Sequence, residues 1–139
     1  MNRLLGIAST ASLWGEDSHR AHFTSALRYP TFVDGENYSR SPDMIGVPFL
    51  FDRSRKWLKE ELSFFTDAVI VPMGDMVSEV PIRIGRDMAI SNDRILAGMP
   101  HASGANKGPI SKLLGAAEEE DEWRRRFVSI TAKVRSLSG

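Results

Sequence analysis

Apolar residues recur most regularly near the C-terminal end. There Trp123, Phe127, Ile130 and Val134 stand at i, i+4, i+7 and i+11, one stripe of an α-helix over Glu118–Leu137. Acidic residues open this segment (Glu118–Asp121) and Arg124–Arg126 and Lys133 follow, a gradient that complements the helix dipole. A second helix is predicted over about Arg53–Phe64 with Asp52 as its N-cap. Trp57, Leu58, Leu62 and Phe65 form its buried stripe, and Lys56, Lys59, Glu60 and Glu61 its solvated side. Two unbroken apolar runs, Ala68–Met73 and Arg94–Met99, suit strands covered on both faces, because a strand covered on one face alternates with polar residues. Between them, Gly74-Asp75 turns into a short helix over Met76–Val80. Pro81 is expected to end it, since proline removes a helical donor. His22–Leu27 reads as a further short strand. The segment Arg28–Asp43 holds Pro30, Asp34-Gly35, Asn37, Ser39 and Ser41-Pro42 and reads as one long loop, in which Asp34, Glu36 and Asn37 serve turns.

Strands alternating with helices predict an α/β fold with a short parallel sheet, in a single domain over residues 1–139. In such sheets the ligand sits outside the carboxyl ends of the strands. The exits to inspect are Arg28–Asp43, Gly74-Asp75 and Pro100–Lys107.

Composition narrows the classes of function. Hydrophobic residues make up 42% of the 139 and charged residues 26%, which argues against disorder, collagen and coiled coil. Lys+Arg and Asp+Glu both number 18, so any surface for a polyanion must come from a local patch. With no cysteine there is no disulfide, iron–sulfur cluster, thiolate zinc site or thiol nucleophile. The apolar stretches Gly46–Phe51 and Ala68–Gly74 fall far short of the roughly 20 residues of a membrane span. Leu4–Ala8 is also shorter than the ~7–15 apolar residues of a secretory signal. The expectation is a cytoplasmic protein with no membrane partner. Walker A, G-x-G-x-x-G and Gly-x-Ser-x-Gly motifs are all missing, and His19 and His22 have no third metal ligand type clustered nearby. Neither a cofactor nor a metal is expected.

The segment Pro100–Gly108 is the chemically richest. It gathers the imidazole of His101, the hydroxyl of Ser103, the amide of Asn106, the ammonium of Lys107 and the flexible Gly104 and Gly108, directly after an apolar run. Glycine lets backbone N–H groups approach a phosphate, and Ser103, Asn106 and Lys107 are donors to one. His101 is a candidate donor to an anionic leaving group. A plain polar loop before a helix explains the same residues from spacing alone. Arg124–Arg126 reads more simply as a solvated helix face than as a phosphate-binding patch.

Leu96-Ala-Gly-Met-Pro-His-Ala-Ser-Gly-Ala-Asn106, with Val69-Ile-Val-Pro-Met-Gly74 upstream, resembles the C-terminal part of the uracil-DNA glycosylase superfamily. Members of that superfamily carry a His-Pro-Ser motif after the last strand of a parallel sheet. Thr24-Ser-Ala-Leu-Arg-Tyr-Pro30 resembles their second-strand segment, and the likeness extends over roughly Arg3–Leu137. The resemblance implies a three-layer α/β/α fold and hydrolysis of the N-glycosidic bond of a flipped uracil-type base in DNA, without metal or cofactor. It assigns His101 to catalysis, Ser25 to the base edge, and Ser103, Gly104, Asn106 and Lys107 to the DNA backbone. Arg83, Arg86 and Arg94, around the last predicted strand, are further candidates to face DNA.

Three features depart from the family pattern. Ala102 stands where proline is usual, and Gly104 and Ala105 are too small for a duplex-opening wedge. The family's first motif, a Gly-rich loop with a water-positioning Asp or Asn, is not found in the 23 residues before Thr24. The resemblance therefore implies a fold lacking its N-terminal strand and motif. Two readings stand: a base-excision hydrolase, or a catalytically inactive module that binds DNA or self-associates as a homo-oligomer across an uncovered sheet edge.

Overall fold

The structure is a computed structural model that describes residues 7–39, 41–91, 94–113, 125, 128, 129, 132 and 136. The chain divides into two units, Thr24–Met99 on the one hand and Met1–Phe23 with Pro100–Gly139 on the other. The described residues form helices and one small two-stranded antiparallel sheet, a mixed α/β architecture.

In Thr24–Met99 the first long helix, α1, covers Pro48–Ser63 and starts earlier than the expected Arg53. Proline suits the first position because its φ is preset and its missing N–H needs no partner there. The turn before it is held by Asp43, which accepts the Gly46 N–H at Oδ2 (3.0 Å) and the Val47 N–H at its carbonyl (3.2 Å). Asp52 is therefore an exposed residue inside α1 and not its cap. Leu50, Ser54 and Leu58 form the buried line, spaced one turn apart, while Trp57, Leu62 and Phe65 are half-buried.

The second helix, α2, covers Asp75–Asp87 and runs through Pro81. Interior proline costs a helix about 3 kcal/mol. Here Val80, Pro81, Ile84 and Gly85 are all buried, and Val80 and Ile84 are fully so (0% exposed). Burying each of those two aliphatic side chains stabilises by roughly 1.5–3 kcal/mol, enough together to offset the proline. With Leu58 they form the core, against which Ala26, Met44, Ile45, Phe51, Leu62 and Met88 pack.

The two apolar runs lie side by side and parallel. Ile70 pairs with Ile95 and Met73 with Met99 as isolated bridges. The Ile70 N–H donates to the Arg94 carbonyl (2.7 Å), the Leu96 N–H to the Ile70 carbonyl (2.9 Å) and the Gly74 N–H to the Met99 carbonyl (2.8 Å). Helix α2 connects them, but among the described residues the pairing stops at these two bridges, so neither run is a strand and the expected parallel sheet is not formed. Gly74 makes the turn into α2 at φ 111, a backbone region that costs residues with a Cβ. Gly85 brings α2 against the second segment, since a Cβ there would lie 2.9 Å from Ile95 Cδ1.

Arg94 is a clasp and not a free cation. Its Nε and one terminal nitrogen donate to the Ala68 carbonyl (3.0 and 2.8 Å), and the same terminal nitrogen donates to the Phe65 carbonyl (2.7 Å). Its place among the DNA-facing candidates is thus corrected, while Arg83 and Arg86 are exposed on α2. Arg94→Ala is expected to cost about 2 kcal/mol, because charged donors to carbonyls contribute roughly 1.5–3 kcal/mol. Arg94→Lys recovers less than half of that, lacking the planar fork. Urea denaturation of both variants measures this, and a loss below about 0.5 kcal/mol, the scatter of ordinary surface substitutions, contradicts the clasp.

Two further expectations are corrected. Residues 22–27 form no strand. Side chains anchor the part after Phe23 to α1: Thr24 Oγ1 donates to Glu61 Oε2 (2.6 Å), and Arg28 lies 5.0 Å from the Trp57 ring centroid. Residues 22–25 are exposed, so water serves the backbone groups that a ladder would otherwise pair. Conversely, Arg28–Asp43 is not wholly irregular. It contains β1, Phe32–Val33, and β2, Glu36–Asn37, which pair antiparallel with Phe32 opposite Asn37. Asp34 and Gly35 turn the hairpin at φ 52 and 81, the signs a type I′ turn requires.

In the other unit, short 3-10 helices cover Thr10–Trp14 and Ser18–Arg20. Ser9 caps the first, its Oγ accepting the Ala11 N–H at 3.1 Å. Leu13 is buried and Trp14 stacks on Phe23 with centroids 4.9 Å apart. A third helix, α3, covers Lys107–Leu113. Arg125, Val128, Ser129, Ala132 and Ser136 are helical and exposed. The stripe Trp123, Phe127, Ile130 and Val134, and with it Arg124, Arg126 and Lys133, lies outside the described residues. No helix among the described residues is long and apolar enough to cross a membrane.

Candidate functional site

The polar segment after Met99 is locally ordered by its own residues. The His101 carbonyl accepts the Ser103 N–H (2.8 Å), which folds the chain back immediately after Pro100. Ser103 then adopts an extended backbone (φ −125, ψ 157) and starts a 3-10 turn over Gly104–Asn106. Its carbonyl accepts the Asn106 N–H at 2.9 Å. The Asn106 side-chain amide donates to Ser103 Oγ at 2.8 Å, a half-buried contact that fixes the hydroxyl. The Lys107 N–H donates to the Gly104 carbonyl, so the turn runs into α3 without a break.

Four of the predicted backbone-binding residues, Ser103, Gly104, Asn106 and Lys107, are thus brought into one turn. His101, Gly104 and Lys107 are exposed, while Ser103 and Asn106 are half-buried. A donor imidazole, a hydroxyl held by an amide, and an ammonium occupy consecutive parts of one short path. Such a set can meet an anionic oxygen and a phosphate together. Ser25 lies in Thr24–Met99, exposed, in the segment that Thr24 and Arg28 tie to α1. Titration is shifted elsewhere: the Ser12 hydroxyl beside Asp17 holds that carboxyl below its usual value. Burial pushes the Tyr38 phenol up, with Asp43 adding to the effect.

Gly104 separates a binding role from a folding role. A Cβ there would meet nothing within 4 Å, and its φ lies outside the left-handed region. Gly104→Ala is therefore expected to leave stability unchanged or raise it by about 0.4–1 kcal/mol. If the Gly104 amide meets a phosphate, the same variant weakens oligonucleotide binding. A melt paired with a binding titration reads both effects, and a variant that binds like wild type removes the amide from the contact set.

Sequence reading passed over a second feature, on α1. Asp52, Arg55, Lys56 and Lys59 line a depression of about 340 Å3. Arg55 Nε and Lys59 Nζ both approach Asp87 Oδ2, at 3.6 and 3.7 Å. The dense cations of residues 53–59 are the available signal, of which amphipathic patterning accounts for Lys56 and Lys59 as solvated.

The chain is 31% identical over 127 residues to the uncharacterized protein YoxB of Bacillus subtilis (strain 168), a match covering 90% of this chain and 50% of that relative. The chain thus spans about half the length of the relative it matches. No family model matches it, and no solved structure does.

Proposed function

We propose that this protein hydrolyses the N-glycosidic bond of a flipped uracil-type base in DNA, with a uracil-DNA glycosylase-like three-layer fold and without metal or cofactor. The observation that carries this reading is the course of the chain through 68–107. Two apolar segments pair in parallel with a helix between them, and the second leads at once into an ordered turn holding exposed His101 and fixed Ser103. That order matches the place where the resembling family keeps its catalytic histidine.

In the reaction the bond between the base nitrogen and the sugar C1′ breaks, and its electron pair enters the base. Negative charge collects on the base oxygens, where the His101 N–H donates. A fixed donor is most effective where charge develops. Water forms the new bond to C1′ and loses its proton to solvent. Ser103, Gly104 and Lys107 hold a phosphate next to the flipped nucleotide, which helps offset the few kcal/mol that unstacking costs.

The test is single-turnover incubation of the chain with single-stranded and mismatched uracil-containing oligonucleotides. The expected products are free uracil and an alkali-labile abasic site. A chain that binds these oligonucleotides and releases no base is the inactive DNA-binding module instead.

A further inference from the structure

Arg53, Arg55, Lys56 and Lys59 fall within one seven-residue stretch of α1. Three of them line the depression described above, and one carboxylate, Asp87, is the shared counter-charge for two. Those separations of 3.6 and 3.7 Å exceed the ~2.7–2.9 Å of a charge-assisted hydrogen bond, so Asp87 holds both cations loosely. Lys56, which lines the depression, also places Nζ 4.7 Å from the Trp57 ring centroid, and Arg28 lies 5.0 Å from the same ring. Tyr29 meets Trp57 edge-on, with centroids 5.8 Å apart and planes at 77°, and is itself 60% exposed. Tyr29 and Lys56 thus share Trp57 as a neighbour, and Lys56 with Arg55, Lys59 and the single carboxylate of Asp52 lines the depression.

We infer that this face of α1 binds single-stranded nucleic acid. Arg55, Lys56 and Lys59 receive backbone phosphates, and the Tyr29 ring stacks on a base. Cationic grooves with aromatic platforms bind single strands in this way, largely without regard to sequence. Tyr29 decides between polyanions: a phosphopeptide site needs cations converging on one group and has no use for an open ring. The site stands on residues of Thr24–Met99 alone and does not rest on the proposed base excision.

Fluorescence anisotropy of a labelled oligothymidine with the full chain, across a salt series, tests the inference. Combined Arg55→Ala, Lys56→Ala and Lys59→Ala should flatten the salt slope by about two units, at roughly 0.7 per phosphate on a single strand. Tyr29→Ala should weaken binding about tenfold with the slope unchanged, and Tyr29→Phe should retain it. Asp87→Ala should tighten binding about threefold, since it frees two cations, whereas a purely structural role for the ion pairs gives no gain. Wild-type chain that does not bind, or a triple variant with the wild-type slope, overturns the inference. Binding insensitive to Tyr29→Ala makes the face a general polyanion site and overturns it too. In a chain that releases no uracil, a salt slope that falls in the triple variant and stays unchanged in Lys107→Ala assigns the binding to this face and not to the turn after Met99.

Discussion

His101→Ala is expected to slow single-turnover release of uracil by about 10²–10³ while leaving oligonucleotide affinity nearly unchanged. Removing one fixed donor to a developing oxyanion costs about that much in rate, roughly 2.7–4 kcal/mol. The expected separation of rate from binding follows from where the charge is. In the bound substrate the base oxygen is a neutral carbonyl, and the contact strengthens only as the glycosidic bond stretches. Local structure makes the substitution clean, since the bond that shapes the turn joins the His101 carbonyl to the Ser103 N–H and survives in alanine. Equal losses of rate and affinity would make His101 a structural residue of the turn.

Ile84→Ala should destabilise Thr24–Met99 by about 2–5 kcal/mol, the range for emptying a buried aliphatic site. Whole domains are stable by only about 5–15 kcal/mol, so this variant approaches the unfolding threshold. Ile84 is 0% exposed and lies in the cluster with Leu58 and Val80, against which Ala26, Met44, Ile45, Phe51, Leu62 and Met88 pack. Met76→Ala, on the same helix but 44% exposed, is the matched control and should cost far less. Equilibrium urea unfolding followed by circular dichroism compares them. An Ile84→Ala cost below about 1 kcal/mol would place the centre of the core elsewhere.

The sequence by itself determined the features that depend on local pattern. Of the unbroken apolar runs at 68–73 and 94–99, the two do pair in parallel at single bridges, but only the second is largely buried, and Ala68 to Val71 stay exposed or half-buried. The absence of cysteine excludes thiol chemistry outright, and the polar run after Met99 was visible because so many donor types share so few residues. Other features depended on residues far apart in the chain. Pro81 reads as a helix end until Val80 and Ile84 find a core that outweighs the lost hydrogen bond. Arg94 reads as one of three arginines of which one or two face DNA, until its carbonyl partners at Phe65 and Ala68 fold against it. The hydroxyl of Ser103 acquired its fixed position only when the turn brought Asn106 onto it. The side of α1 that carries Lys56 and Glu60 is exposed as its pattern says, and what only the fold added there is Asp87 against Arg55 and Lys59 and Tyr29 against Trp57. Periodicity reports which side of an element avoids water, but partners distant in sequence are chosen by packing, and only the tertiary structure decided them.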